Sequence, residues 1–183
     1  MDRFGLKIWM TGAVTTIAWM GSASGKSAMN SSWYEVNDGV MGGLSQSLAE
    51  YTDEGDLRFS GIVSFENNGG FASIRNSAGF LQLERSDGIK LRVKGDGKTY
   101  QFRVRTSRKF DGVSYKHAFK TMKGEWNELN LKWSDFSATF RGRKVPNAPK
   151  LVPGAIEQIG FLIADKQEGA FALMVRGIEA LPK

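Results

Sequence analysis

The sequence predicts an all-β fold, an antiparallel β-sandwich of the jelly-roll type. Three observations support this prediction. Apolar and polar residues alternate in most segments after position 33, and a period of two is typical of strands with one buried face. The chain has 22 glycines among 183 residues, well above the average share of about 7%, which indicates many tight turns. No stretch after position 33 shows a helical periodicity long enough for an amphipathic helix.

The alternation places the strands at residues 57–65, 71–75, 89–94, 99–105, 113–119, 125–133, 156–164 and 170–181. A change of phase near Gly61 indicates a β-bulge. Residues 67–70 and 95–98 are predicted turns, and the second closes a hairpin. Residues 134–153 form a long irregular excursion, of the kind that is often functional or packed as an Ω-loop. The side chains predicted to fill the core are Phe59, Leu91, Val93, Tyr100, Phe102, Val104, Leu131, Phe161 and Ile163.

Composition excludes several kinds of site. There is no cysteine, which excludes disulfides, thiolate metal sites and cysteine nucleophiles. His117 is the single histidine, so one chain cannot build a multi-histidine metal site. We therefore expect no metal and no cofactor.

Residues 1–32 differ in composition from the rest of the chain. Arg3 and Lys7 precede an uncharged run over residues 8–20, and small residues follow it. A run of this length suits the apolar region of a secretory signal peptide and is too short for a transmembrane helix. We interpret residues 1–32 as a signal peptide with a flexible joint, or alternatively as a docked helix, and residues 33–183 as a single jelly-roll domain. This interpretation predicts an exported, periplasmic protein that is not integral to the membrane, with a cytoplasmic location as the alternative.

Positive charge is concentrated in the middle of the chain. The net charge is +6, and residues 85–144 hold 16 Lys and Arg against 6 Asp and Glu, whereas the remaining residues hold 9 against 13. If the hairpin at residues 95–98 forms, one face of a sheet carries polar residues from both of its strands: Lys90, Arg92, Lys94, Gln101, Arg103 and Arg105.

Like charges on neighbouring strands destabilise a sheet. Such a face therefore suits a small anionic ligand, an acidic protein surface or nucleic-acid phosphates, and a screened, solvated face is the alternative. Nucleic acid is disfavoured because the interleaved Tyr100 and Phe102 fall on the core side, where no base can stack.

Further candidate binding residues lie in glycine-rich loops. Asn and Asp side chains begin turns at two places, near residues 37 and 67. Arg75 and Arg141 stand among glycines and aromatic residues, where a partly buried guanidinium needs a carboxylate, a carbonyl or a ligand as acceptor. The candidate binding residues are Asn37, Asp38, Asn67, Asn68, Arg75, Arg103, Arg105 and Arg141.

The loop over residues 36–47 is predicted to be a structural clasp in preference to a binding loop. In this interpretation Val40 and Met41 plug one end of the sandwich while Asp38 caps backbone amides. Asp38 and Glu66 could serve as paired glycosidase carboxylates, but no cleft between them is indicated. His117 has no Ser or Asp at a catalytic-triad spacing. We therefore predict that the protein is not an enzyme.

Five motifs carry a family resemblance. They are residues 33–43 (Trp-Tyr-Glu-Val-Asn-Asp-Gly-Val-Met-Gly-Gly), 66–75 (Glu-Asn-Asn-Gly-Gly-Phe-Ala-Ser-Ile-Arg), 100–103, 140–142 and 159–163. Together they resemble the complex I intermediate-associated protein 30 family. The resemblance implies a galactose-binding-like jelly roll, a chaperone-like role in assembling a respiratory complex with a protein partner, and no catalytic residues to carry over.

Two functional hypotheses follow. The first is a non-catalytic interaction module that holds an assembly intermediate. The second is a carbohydrate- or small-ligand-binding module of an exported protein, using the loops near Asn37, Asn67 and Arg141.

Overall fold

Two antiparallel sheets pack face to face. The computed structural model describes residues 32–183, and all strand pairings within its sheets are antiparallel. The first sheet has seven strands, in the spatial order β1 (Tyr34–Glu35), β4 (Ala72–Ser77), β11 (Gln158–Ile163), β6 (Thr99–Arg105), β7 (Ser114–Lys120), β9 (Ser137–Phe140) and β10 (Arg143–Lys144). The second has five, in the order β2 (Gln46–Tyr51), β3 (Leu57–Val63), β12 (Gly169–Pro182), β5 (Ser86–Lys94) and β8 (Trp126–Lys132).

The predicted β-sandwich of the jelly-roll type is confirmed. Helical structure in residues 32–183 consists of short 3-10 segments, at Asp38–Met41, Glu66–Asn68, Trp133–Asp135 and Pro153–Ala155. No helix in this part of the chain is long and apolar enough to span a membrane. The segment predicted to be a signal peptide lies outside the described residues.

The core lies between the two sheets and has the predicted composition. All nine side chains predicted to fill it are at most 3% exposed. Aromatic rings from both sheets meet there, since Phe59 and Tyr100 each contact Phe171 edge to face, with centroids 4.8 and 6.5 Å apart. Alternation therefore predicted correctly which side chains are buried on β3, β5, β6, β8 and β11.

The predicted hairpin at residues 95–98 is wrong. β5 pairs with β8 and β12, whereas β6 pairs with β7 and β11, so this connection crosses from one sheet to the other. Asp96 holds the crossing in place, because its carboxylate accepts hydrogen bonds from the Tyr100 hydroxyl in β6 and the Ala172 amide in β12, both at 3.0 Å. The basic residues of β5 and β6 consequently lie on opposite outer faces of the sandwich.

The predicted bulge at Gly61 is also wrong. β3 pairs with β2 and β12 without a shift of register. Glycine is needed there because a Cβ atom would lie 2.0 Å from the Gln46 carbonyl oxygen. The irregularity occurs in β12, where the register shifts between Val175 and Gly177.

The bulge in β12 sets Arg176 outside the regular ladder. Its guanidinium binds both oxygens of the buried Asp56 carboxylate at 2.7–3.2 Å. A bulge re-aims the side chain of its extra residue, so this local irregularity creates the ion pair between the middle of β12 and the residue that precedes β3.

Residues 134–153 are less irregular than predicted. The antiparallel pair of β9 and β10 occupies the first half of this segment. Its turn contains Arg141 and Gly142, both with positive φ (45° and 79°). The second half packs back on the sheet, where the Pro149 carbonyl accepts a hydrogen bond of 2.7 Å from the Tyr115 hydroxyl.

Asp38 organises the loop that precedes β2. The side chain is fully buried, and its oxygens accept hydrogen bonds from the Ser45 amide (2.9 Å), the Gly70 amide (2.7 Å), the Phe71 amide (3.1 Å) and the Ser45 hydroxyl. Gly43 packs directly against the carboxylate, since a Cβ atom there would lie 2.4 Å from Oδ1. The prediction that Asp38 caps backbone amides is thus consistent with the geometry.

The predicted role of Val40 and Met41 is wrong. Their side chains are 60% and 61% exposed and do not plug the sandwich. They lie on the 3-10 turn Asp38–Met41, in which Asp38 is buried and the three residues that follow it are exposed to solvent. Apolar character alone could not distinguish a plug from an exposed apolar surface.

We expect Asp38→Asn to lower the free energy of unfolding by about 2–4 kcal/mol, because an amide cannot accept all the hydrogen bonds that the charged group accepts. The matched control is Asp53→Asn, the same change at an exposed position, which should leave stability unchanged. Urea denaturation at pH 7 measures both. Equal stability of the two variants would contradict a clasp role for Asp38.

The difference between wild type and Asp38→Asn should depend on pH. Burial opposes ionisation of Asp38, but hydrogen bonds from Ser45, Gly70 and Phe71 outweigh burial and hold its pKa below the ordinary 3.8. Because the pKa of Asp38 is lower in the folded state than in the unfolded state, its ionisation stabilises the fold at pH values above the unfolded-state pKa. This stabilisation is lost as the pH falls through the folded-state pKa. The two proteins should therefore converge in stability as the pH is lowered below about 4.

Candidate functional site

A groove crosses the outer face of the seven-stranded sheet. Its volume is about 430 Å³. The floor is formed by β4, β11 and β6, and the walls come from the Asp38–Met41 turn, from the loop between β6 and β7, and from the turn between β9 and β10. We call this feature the arginine groove, because four predicted binding residues line it: Arg75, Arg103, Arg105 and Arg141.

Two of these arginines flank a glycine in a single cross-strand row. Gly160 pairs with Arg75 of β4 on one side and with Arg103 of β6 on the other. Since neighbouring strands lie about 4.8 Å apart, the two arginine Cα atoms are roughly 10 Å apart. Only glycine fits between them, because a Cβ atom at position 160 would lie 2.5 Å from the Ile74 carbonyl oxygen. The row therefore has an open floor between two guanidinium-bearing side chains.

The central guanidiniums are held by neutral acceptors. Arg75 donates to the Phe110 carbonyl at 2.8 Å, Arg105 donates to the Gly112 carbonyl at 2.9 Å, and Arg103 donates through two nitrogens to the Gln101 amide oxygen at 3.1 and 2.8 Å. Within residues 32–183, none of the three forms an ion pair with a carboxylate, in contrast to Arg176 with Asp56. Their positive charge is thus oriented without a direct ion pair, and the carboxylates of Asp111 and Asp165 attract it from a greater distance.

Burial lowers the pKa of all three arginines, and repulsion between them lowers it further for Arg103 and Arg105. Burial is the larger cause for Arg103, whose pKa falls to about 10, and the nearby charges of Arg105 and Arg75 add to it. Burial followed by the charge of Arg75 likewise lowers the pKa of Arg105 to about 10. Burial also lowers the pKa of Arg75. All three remain protonated at neutral pH, so the groove holds a concentrated positive charge.

The groove has an apolar rim on the side of the turn and of the β6–β7 loop. Val40, Met41 and Phe110 are each about 60% exposed, and all three line the groove. The Phe110 ring also forms a cation–π contact with Arg75, whose guanidinium carbon lies 5.4 Å from the ring centroid. The site therefore offers apolar contact beside charge.

Arg141 differs from the other three arginines. Its guanidinium binds the Asp111 carboxylate at 2.6 and 3.1 Å, and it lies 5.3 Å from the Phe140 ring centroid. The hydrogen bond from Arg141, followed by the one from the Gly112 amide, lowers the pKa of Asp111. The sequence predicted that Arg75 and Arg141 each need an acceptor. In the structure this acceptor is a carbonyl for Arg75 and a carboxylate for Arg141.

The other four predicted binding residues do not line the groove. The Asn37 side chain accepts hydrogen bonds from the Ser47 hydroxyl (2.8 Å) and the Ser73 amide (3.1 Å), and Asp38 is buried as described. Asn67 and Asn68 occupy the loop before β4 with positive φ (54° and 60°). These four residues shape the loops. Of the eight predicted binding residues, the fold therefore brings together the four arginines.

Sequence reasoning missed Gly160 and Phe110. Gly160 was assigned only to a strand, although a glycine within an apolar strand can mark a close approach of another backbone or of a ligand. Phe110 precedes the turn residues Asp111-Gly112, so its position beside a polar turn could have indicated an exposed aromatic ring.

Among the described residues that line the groove, Asp111 carries the one carboxylate, and it is paired with Arg141. Asp38 is fully buried and Glu66 is exposed on a separate loop, so they do not form a glycosidase pair facing a cleft. His117 packs against Phe136, with ring centroids 5.5 Å apart, and its Nδ1 has no hydrogen-bond partner within residues 32–183. No group of three or more His, Asp or Glu side chains in that range could hold a metal ion. The arrangement is chemically suited to binding an anion.

Two relatives of known name match about half of this chain. A protein of Neurospora crassa is 28% identical over 93 residues, 50% of this chain and 34% of its own length. A protein of Mus musculus is 32% identical over 89 residues, 46% of this chain and 27% of its own length. Both are named complex I intermediate-associated protein 30, mitochondrial. The matched segment thus spans about a third of each relative or less.

These relatives overturn the predicted location. Both are named as mitochondrial proteins, so the prediction of an exported, periplasmic protein, with a cytoplasmic alternative, is wrong. The prediction depended on a short apolar run behind two cationic residues. Such a run is compatible with more than one targeting route, and its composition could not decide the compartment.

Solved structures of low sequence identity share the fold. A family 11 carbohydrate-binding module from Clostridium thermocellum, in complex with a β-1,3-1,4-mixed-linked tetrasaccharide, has a TM-score of 0.57 at 16% identity and covers 85% of this chain and 92% of that one. The corresponding module of the cellulase Lic26A-Cel5E from the same organism has a TM-score of 0.55 at 16% identity, covering 83% and 89%. At this identity the likeness establishes the jelly roll alone.

The family model agrees with the motifs described above. The model of Complex I intermediate-associated protein 30 (CIA30) matches residues 23–175, which is most of the chain and nearly all of both sheets. It includes the Asp38 loop and every arginine of the groove. The chain belongs to the complex I intermediate-associated protein 30 family.

Proposed function

We propose that this domain is a non-catalytic binding module that assists assembly of respiratory complex I in the mitochondrion by holding a protein partner in the arginine groove. Family membership supports the assembly role, because the named relatives carry both the complex I association and the mitochondrial location in their names. The observation that carries the binding role is the cluster of Arg75, Arg103 and Arg105, oriented by neutral acceptors and lacking carboxylate partners within residues 32–183.

The chemistry of the groove supports binding in preference to catalysis. A guanidinium that stays protonated at neutral pH cannot act as a general base, and its planar set of donors matches oxyanions. The half-buried position of Arg103 and Arg105 strengthens their electrostatic attraction for a bound anion relative to exposed side chains. The groove therefore supplies affinity and orientation.

Small-ligand binding is the second candidate function. The cavity volume of about 430 Å³ falls within the range of roughly 300–1,000 Å³ that small-molecule sites occupy. A carbohydrate or a small anion would fit such a volume. The apolar rim of Val40, Met41 and Phe110 favours a larger partner that covers it.

If the arginines of the groove serve binding, their removal should not weaken the fold. We expect Arg75→Gln and Arg105→Gln each to change the free energy of unfolding by less than about 1 kcal/mol, because relief of repulsion offsets the lost hydrogen bonds to neutral acceptors. The matched change Arg176→Gln should cost about 2–3 kcal/mol, because it leaves the buried Asp56 carboxylate unpaired. Chemical denaturation compares the three. A large loss in both groove variants would show that these arginines stabilise the fold.

Replacement of charge in the groove should abolish function in cells. In cells that lack the endogenous protein, we expect the double variant Arg103→Glu and Arg105→Glu to leave complex I as poorly assembled as the deletion does. Native gel electrophoresis with in-gel staining of NADH dehydrogenase activity is the measurement. The control is Lys94→Glu with Lys132→Glu, which makes the same change of charge on the outer face of the other sheet and should restore assembly.

Two outcomes separate the parts of this proposal. Normal complex I in the deletion cells would refute the assembly role itself. Full restoration by the folded groove variant would retain the assembly role but refute the groove as the binding surface.

A further inference from the structure

We propose that the arginine groove recognises an acidic peptide segment of the partner protein, with a side-chain carboxylate between Arg75 and Arg103 above Gly160 and an apolar neighbour on the rim of Val40, Met41 and Phe110. This inference rests on the proposed function and names the chemistry that the partner must present.

The carboxylate position follows from the Arg75–Gly160–Arg103 row. The two arginines come from strands separated by one strand, and the intervening residue has no side chain. The existing hydrogen bonds to Phe110 and Gln101 use only part of the five N–H donors of each guanidinium. Arg105 lies two residues along β6 from Arg103, and its charge reaches both neighbours. An oxyanion above Gly160 would relieve the repulsion among all three.

The rim indicates that the anion is part of a peptide. Val40, Met41 and Phe110 expose apolar side chains directly beside the charge. A free inorganic anion would leave these side chains in water, whereas a peptide with an apolar residue next to its carboxylate would bury them, which is favourable. The occupant that satisfies both halves of the groove carries a glutamate or aspartate beside an apolar residue.

Asp111 disfavours a nucleic-acid backbone. Its carboxylate lines the same groove, and it is paired with Arg141 at 2.6 Å. A chain with a negative charge at every unit would meet this carboxylate and compete for Arg141. A peptide with one or two carboxylates can place them on the arginine row and avoid Asp111.

The test is titration of the full-length protein with an acetylated and amidated peptide of sequence Leu-Glu-Glu-Leu, followed by NMR of the arginine Nε–Hε groups. Saturable shifts of Arg75, Arg103 and Arg105 are expected. The peptide with Gln in place of Glu and the peptide with Ser in place of Leu should each bind at least roughly tenfold more weakly, since they lose the charged and the apolar contacts respectively. Inorganic phosphate should also bind at least about tenfold more weakly than the Glu peptide.

Protein variants connect the shifts to the groove. Arg103→Gln should weaken binding of the Glu peptide roughly 10- to 100-fold, as expected for loss of a charged hydrogen-bonding partner. Lys94→Gln, on the opposite outer face, should bind as wild type does. Backbone spectra of both variants verify that they are folded.

Several outcomes would overturn the inference. Phosphate binding as tight as peptide binding would identify a small-anion site, and unchanged binding by folded Arg103→Gln would place the peptide elsewhere. Absence of saturable binding by the Glu peptide would refute the acidic-peptide occupant. None of these results changes the complex I assembly measured in deletion cells, so failure of this inference is distinguishable from failure of the proposed function.

Discussion

The fold of this protein depends on one buried carboxylate. Asp38 accepts hydrogen bonds from the amides of Ser45, which leads into the five-stranded sheet, and from those of Gly70 and Phe71, which lead into the seven-stranded sheet. A charged acceptor with several donors is stabilised even when buried. The same interaction fixes the short turn that follows Asp38. It therefore determines where Val40 and Met41 stand at the edge of the groove.

The arginine groove shows the opposite energetic pattern. Arg75, Arg103 and Arg105 approach one another with neutral acceptors. Burial lowers the pKa of all three, and positive neighbours lower it further for Arg103 and Arg105. On the other sheet, Arg176 is instead neutralised by an ion pair with Asp56, which stabilises the fold. Repulsion that the fold does not relieve is typical of functional sites, because a ligand can relieve it.

The sandwich also separates two basic strands that are adjacent in sequence. The connection at residues 95–98 crosses between the sheets, so the charges of β5 and β6 face away from each other. On β5, Lys94 and Arg92 lie 5.1 and 6.0 Å from the Trp126 ring centroid, and Lys90 pairs with Glu128 at 3.6 Å. On β6, Arg103 and Arg105 line a groove that has an apolar rim. Within residues 32–183, Arg103 and Arg105 of β6 thus line a concave site and form no ion pair with a carboxylate.

The sequence by itself determined the class of fold and the buried side chains of five strands, because alternation and turn residues report on local backbone geometry and on burial. Its motifs determined the family. It also singled out the arginines of the groove by their surroundings. It could not determine which strands share a sheet, since a strand buries the same face whichever partner it takes. For this reason the predicted hairpin at residues 95–98 was wrong. The predicted plug of Val40 and Met41 was wrong because apolar character alone does not show whether a loop side chain is buried. Tertiary structure alone decided that Gly160 separates Arg75 from Arg103 and that Phe110 stands beside them, because these contacts join residues far apart in the chain.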